Sequence, residues 1–265
     1  MTAWLERTEL LIGKEKLEKL QNASVLVVGV GGVGAYAAEM ICRAGVMRMT
    51  IADADTVSES NINRQLVALH STIGEEKCEV LGRRLRDINP KLELTCVNRF
   101  IKEDEVDRLL DSSKFDYVVD AIDTLAPKIA LIKGTLDRGI PLVSSMGAGG
   151  KTDPTLIEIE DISKTHHCPL ARMIRGRLHK LGIEKGFAAV FSAEPVRNDG
   201  CAAVTVEPRT ATFLDVFIVG FKLAHVSRRL VIFFLRVYLA DAKPHPALHI
   251  HEHFALGGDH RAASA

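Results

Sequence analysis

The stretch Ser24-Val-Leu-Val-Val-Gly29-Val-Gly31-Gly32-Val-Gly34-Ala-Tyr-Ala-Ala-Glu-Met-Ile-Cys42-Arg-Ala44 decides the fold. Its first part, residues 24–29, is an unbroken apolar and β-branched run ending in glycine, the pattern of a strand buried on both faces. Residues 33–44 then place Ala, Met, Ile and Cys at helical spacing. Glycines at the junction let backbone N–H groups approach a phosphate at the positive end of the helix that follows. Asp53 ends the next strand, 48–53, where a carboxylate can take a ribose hydroxyl. Gly29, Gly31, Gly32, Gly34 and Asp53 therefore read as a nucleotide site. A tight turn that only packs helix on strand is the competing reading. The motif by itself does not separate NAD from ATP.

Outward from this unit, strands at 92–97, 115–119 and 141–144 alternate with helices at 75–88, 103–110 and 125–138. Asn89-Pro90 stops the first of these helices, and Pro127 confines the start of the third. Alternation of this kind predicts an α/β fold, a Rossmann-like doubly wound and mostly parallel sheet with helices on both faces. Past residue 150 the pattern loosens. Residues 157–159 offer one more strand and 169–181 a basic helix, and from 198 onward the organisation is poor. Five of the ten histidines crowd between His245 and His260, beside Pro244 and Pro246. A tail of that composition is not expected to join the core.

The 265 residues permit one large domain or two small ones. Hydrophobic residues make up 47% and charged residues 26%, ordinary globular usage that argues against bulk disorder. Lys+Arg and Asp+Glu both total 34, so contact with nucleic acid or a membrane surface needs a local patch. Cys42, Cys78, Cys96, Cys168 and Cys201 contain no C-x-x-C pair. That excludes a four-cysteine zinc knot and speaks against a secreted disulfide framework. Residues 1–20 lack the apolar core of a signal peptide. Residues 211–240 are broken by Lys222, His225, Arg228, Arg229 and Arg236, short of the ~18 uninterrupted apolar residues of a membrane span. The expectation is a cytoplasmic protein.

The segment Asp53-Ala-Asp55-Thr-Val-Ser-Glu-Ser-Asn61-Ile-Asn63-Arg64-Gln65, followed by Lys77, distinguishes the nucleotides. A hydride-transfer enzyme has no need of Asn, Arg and Lys at this point, because its cofactor carries only a pyrophosphate. ATP carries about four negative charges. Arg64 supplies a fork for phosphate oxygens and Lys77 a point charge. The competing reading is a solvated charged loop. Asp120-Ala-Ile-Asp123-Thr124 follows the fourth strand, at the edge where an open α/β sheet binds its ligands. Asp123 is the better candidate for Mg²⁺ between phosphate oxygens, with Asp120 orienting the turn. Capping of the next helix is the competing role for Asp123.

Together the glycine run, the Asp-x-Asp segment, Lys77 and Asp-x-x-Asp resemble the adenylating superfamily of ubiquitin-activating-enzyme-like proteins. That resemblance, over residues 7–124, implies that Asp53 binds ribose and that Asn61, Arg64 and Lys77 hold the phosphates. It adds Asp55 and Gln65 to the ATP site and gives Asp123 to Mg²⁺ and the transition state. Arg64, Lys77 and Asp123 are the implied catalytic residues. Arg7 matches an arginine that, in relatives, reaches ATP from the partner subunit of a homodimer.

The series Ser145-Met-Gly-Ala-Gly-Gly-Lys151-Thr-Asp-Pro-Thr155, Asp161-Ile-Ser-Lys164-Thr165, Pro169-Leu-Ala-Arg172 and Val190-Phe-Ser-x-Glu194-Pro195 narrows the family. It is similar to the tRNA threonylcarbamoyladenosine dehydratases, also called cyclic threonylcarbamoyladenosine synthases. The implied reaction uses ATP to activate the threonine carboxylate of the modified adenosine, after which the carbamoyl oxygen closes an oxazolone ring. A sulfur-transfer partner from a cysteine desulfurase system is a further implied partner. The alternative is an activator of a sulfur-carrier or ubiquitin-like protein, many of which hold zinc through the C-x-x-C pairs absent here. The implied organisation is an adenylating domain over 1–197 and a divergent segment over 198–265, one helix plus a His-rich tail.

A tRNA substrate, rather than DNA, calls for a basic surface. Residues 164–185 contain Lys164, Arg172, Arg175, Arg177, Lys180 and Lys185 against Glu184 alone. Lys164, Arg172, Arg175 and Lys180 are the candidate tRNA contacts, and an ordinary solvated helix face is the competing reading. Cys168 beside His166 and His167 invites a nucleophile reading. An intramolecular attack needs no enzyme nucleophile, and the family carries an acidic residue at this position. His249, His251 and His253 share one face of an extended segment and form a candidate metal chelate, against which stands a disordered tail.

Overall fold

The computed structural model describes residues 3–149, 151 and 153–195, together with Val226, Ser227, Arg229, Val231, Ile232, Phe234, Leu235, Tyr238 and Leu239. Cys201 and the histidines of 245–260 lie outside the described residues. Seven strands are β1 Ser24–Val28, β2 Arg48–Ala52, β3 Glu93–Val97, β4 Tyr117–Asp120, β5 Leu142–Ser145, β6 Ile157–Asp161 and β7 Ala188–Ser192. The helices are α1 Glu6–Ile12, α2 Lys14–Gln21, α3 Gly34–Ala44, α4 Lys77–Ile88, α5 Val106–Leu110, α6 Leu125–Asp137 and α7 Pro169–His179. The strands form one sheet in the order β3-β2-β1-β4-β5-β7-β6. Six are parallel, and β6 runs antiparallel to β7 at the edge. This is the doubly wound, mostly parallel sheet that the strand–helix alternation predicts.

Strand β1 shows why both faces must be covered. All five of its residues are buried. Val25 and Val27 join a core with Ala38 and Ile41 of α3 and Leu81 and Leu85 of α4. Leu26 and Val28 join a second core with α5, α6 and α7 on the opposite face. Each face is closed by helices, so period-two alternation between apolar and polar residues vanishes. Strand β7 has no counterpart in the sequence reading for the same reason: Ala188-Ala-Val-Phe-Ser192 is too short and too uniformly buried to show a period.

The described residues between 226 and 239 are helical; Val226, Val231, Phe234 and Leu239 belong to the first core, with Leu235 and Tyr238 packed against it. Phe234 is fully buried, edge-on to Tyr117 of β4 with ring centroids 4.9 Å apart. Ser227 Oγ donates to the Val33 carbonyl at 2.8 Å, at the start of α3. Among the described residues no helix is long and apolar enough to cross a membrane.

Candidate active site

In the order β3-β2-β1-β4, the succession of strands across the sheet reverses at β1, and the crevice beyond β1 and β4 is the ligand position of such sheets. A cavity of about 670 Å³ opens there. Gly29 has φ +86°, and a Cβ on it would lie 2.6 Å from the Ala121 carbonyl oxygen. A Cβ on Gly34 would lie 1.7 Å from the Gly29 carbonyl oxygen. Gly29, Gly31 and Gly32 line the cavity, whereas Gly34 serves the close packing of α3 on the turn and does not line it.

The Asp53 carboxylate braces this turn. Its Oδ2 accepts the Val30 N–H at 2.7 Å and its Oδ1 the Asp55 N–H at 2.8 Å. Each oxygen has further acceptor capacity, and Asp53 lines the cavity. Lys77, the first residue of α4, is buried along its stem, and its Nζ pairs with Asp55 Oδ2 at 2.7 Å. Asp55 is itself largely exposed at the cavity wall. Arg64 Nη1 donates to the Ser60 carbonyl and to Asn63 Oδ1, both at 2.9 Å. The buried Asn61 caps its own turn by accepting the Ser58 N–H at 3.2 Å. Gln65 Oε1 is buried without a hydrogen-bond partner. Asn61, Arg64, Gln65 and Lys77 all line the cavity with Asp55.

Asp120 and Asp123 part company. Asp120 is fully buried, paired with Lys128 and bonded to the Ile122 N–H of the turn, and it does not line the cavity. Asp123 is exposed at the cavity wall, and the N-cap of α6 is Thr124, which leaves the carboxylate free of the capping role. Arg99, Phe100 and Ile101 also line the cavity, although the sequence reading does not single them out. The available signal is positional: they follow β3 much as Asp53 follows β2.

Beyond β5 the wall is built by Ser145, Met146, Gly147, Ala148 and Gly149, and Leu170 at the start of α7 closes it. Helix α7 buries Ala171, Ile174 and Leu178 and turns Arg172, Arg177 and Lys180 to solvent. Arg175 is half-buried and hydrogen-bonded to Thr165 Oγ1, and Lys164 pairs with Glu160 at 3.3 Å. Cys168 is only 4% exposed and caps α7 through its sulfur, an N-terminal brace that suits a packed thiol and not a nucleophile. Burial, seconded by the Asp53 charge, pushes the Cys78 thiol well above its ordinary value, so the cysteine beside Lys77 stays protonated. Arg7 is exposed on α1 and does not line the cavity of its own chain.

The chain is 50% identical over 188 residues to a tRNA threonylcarbamoyladenosine dehydratase of Bacillus subtilis, covering 71% of this chain and 74% of that one. It is 42% identical over 211 residues to the Escherichia coli protein of the same name, covering 75% and 78%. Structures of the E. coli dehydratase in complex with ATP and with AMP superpose with a TM-score of 0.73 at 36% identity, over 89% of this chain and 98% of theirs. The ThiF family model matches residues 5–237. With the glycine turn, the charged crevice and the sheet order all in place, the chain belongs to the ThiF family.

Proposed function

We propose that this chain uses ATP to dehydrate threonylcarbamoyladenosine in tRNA. The observation that carries the reading is one cavity with two kinds of wall. Gly29, Gly31, Gly32, Asp53, Arg64, Lys77 and Asp123 line the β2-β1-β4 side, and 145–149 with the start of a basic helix line the β5 side. The first wall suits a nucleoside triphosphate; the second leads to a surface for phosphates of a nucleic acid. The named relatives and the ATP- and AMP-bound structures supply the chemistry of the substrate.

In this reaction a threonine carboxylate oxygen attacks the α-phosphorus and pyrophosphate leaves. The substrate's carbamoyl oxygen then attacks the acyl carbon, AMP departs with the carboxylate oxygen, and the ureido nitrogen gives up a proton. The net change is loss of one water. Arg64 and Lys77 stabilise charge that grows on the phosphate, which both residues reach from the cavity wall. The attacking oxygen belongs to the substrate, so proximity replaces a protein nucleophile. That agrees with Cys168 being a packed N-cap.

Mg²⁺ commonly keeps several waters and takes one or two carboxylates plus phosphate oxygens. Asp123, an exposed carboxylate at the cavity wall, fits that habit and would hold the ion, which when bound neutralises phosphate charge. Arg172, Arg177 and Lys180 form the solvent face that would track the tRNA backbone, with Lys164 and Arg175 at its margin. A homodimer would bring Arg7 to the neighbouring ATP; Leu10 and Leu11 on the same helix are 81% and 83% exposed and suit such a contact. A tRNA substrate is consistent with a cytoplasmic activity. Incubation with ATP and tRNA carrying the modified nucleoside, followed by digestion to nucleosides, tests the proposal. A product lighter by one water is expected; an adenylate formed on a di-glycine peptide and not on the nucleoside would support the sulfur-carrier alternative instead.

A further inference from the structure

We infer that Lys128 is a positioning residue of the active site, holding the 121–124 turn, and with it Asp123, through a buried ion pair with Asp120. Neither side chain of the pair has any exposed surface, and Lys128 Nζ lies 2.8 Å from Asp120 Oδ2. The same Nζ donates to the Ile122 carbonyl at 2.9 Å. Asp120 Oδ1 accepts the Ile122 N–H at 3.0 Å, and Oδ2 accepts the Ser144 hydroxyl at 2.6 Å. Both polar backbone groups of Ile122 are therefore gripped by charged side chains, one residue before Asp123.

A stabilising role alone explains this poorly. Desolvating an ammonium and a carboxylate is costly, and packed apolar side chains of similar volume often stabilise as well or better. What the pair does supply is a fixed direction. The turn it holds contributes Ala121, Ile122, Asp123 and Thr124 to the cavity wall. Its Ala121 carbonyl presses against Gly29, where a Cβ would lie 2.6 Å away. Ser144 immediately precedes Ser145 of the opposite wall, so the network ties both walls to one point. Lys128 itself does not line the cavity, which rules out direct contact with a nucleotide and leaves action through the turn.

The inference rests on the reading of Asp123 as a group that acts on the bound triphosphate, and the experiment separates the two. Lys128→Met, Lys128→Arg and Ser144→Ala are compared with Asp123→Asn, singly and combined, for turnover, ATP affinity by calorimetry, and hydrogen exchange of the Ile122 amide. Misplacement by about 1 Å can cost 10²-fold in rate. Lys128→Met is expected to lower turnover by about that factor while ATP affinity falls far less, and to speed exchange at Ile122. Lys128→Arg should restore part of the loss. In the Asp123→Asn background Lys128→Met should add little, because the two changes act through one group. An equal loss with and without Asp123, or an unchanged Ile122 exchange rate, overturns the inference. Full turnover of Asp123→Asn alone overturns the reading of Asp123 and leaves the exchange result to judge the turn. If Lys128→Met does not fold, Ser144→Ala, which keeps both charges, decides: normal turnover and normal exchange would sink the inference.

Discussion

Asp53→Ala gives the most informative perturbation, because one carboxylate is asked to do two jobs. In the folded protein it accepts the Val30 and Asp55 N–H groups. Asp55 is exposed, so water replaces that bond. Val30 is fully buried, and its N–H is left without an acceptor. An unsatisfied buried donor costs about 1–3 kcal/mol. At roughly 2–4 °C per kcal/mol, Tm should fall by roughly 2–12 °C. The second job is the ribose. Loss of hydrogen bonds to a charged acceptor costs about 1.5–3 kcal/mol, a weakening of ATP binding by about 10- to 150-fold. Calorimetric titration with ATP well below the lowered Tm reads the second quantity apart from the first. Asp53→Asn is the control: its carbonyl oxygen can still accept the Val30 N–H, so stability should largely return while ATP affinity stays low. Unchanged ATP affinity in folded Asp53→Ala would refute the ribose assignment and leave Asp53 as a brace for the glycine turn.

Other outcomes follow from the same geometry. Arg64→Ala and Lys77→Ala should each lower turnover by about 10²–10³ while ATP affinity drops less, and a variant with normal turnover has no part in the chemistry. Neutralising Arg172, Arg177 and Lys180 together should reduce the log–log salt slope of tRNA binding by about 2–3, at 0.7–0.9 per lost phosphate contact, with ATP binding retained; an unchanged slope moves the tRNA surface elsewhere. Phe234→Ala should cost about 3–5 kcal/mol in a denaturant titration, since the ring is fully buried against Tyr117, and a neutral result would detach that helix from the core. Burial raises the Cys42 thiol from 9.0 to about 11. The folded state then holds its proton longer than the unfolded chain, so this contribution is intact below about pH 9 and is lost as pH rises toward about 11. Cys42→Ala should flatten stability over that alkaline window.

The sequence by itself determined the local units. Residues 24–34 could be read as strand and glycine turn because no side chain fits where Gly29 and Gly34 meet neighbouring backbone, a constraint visible in residue type alone. The alternation of apolar runs with amphipathic helices gave the layered sheet, and the charge pattern of 53–77 pointed to a triphosphate because isolated cations seldom gather there for packing. Tertiary structure decided whatever depends on neighbours distant in the chain. Strand β7 is legible only beside β5 and β6, since complete burial removes the alternation that marks a strand. Asp120 and Asp123 look alike in sequence; the sheet buries one against Lys128 and leaves the other at the cavity wall. Arg172 and Arg175 sit on one basic helix, yet the packing of its apolar face turns the first to solvent and ties the second to Thr165. Lys128 gave no local signal and Arg99 only its place after a strand, because a lysine or arginine acquires its meaning from what surrounds it, and only the fold brings those surroundings together.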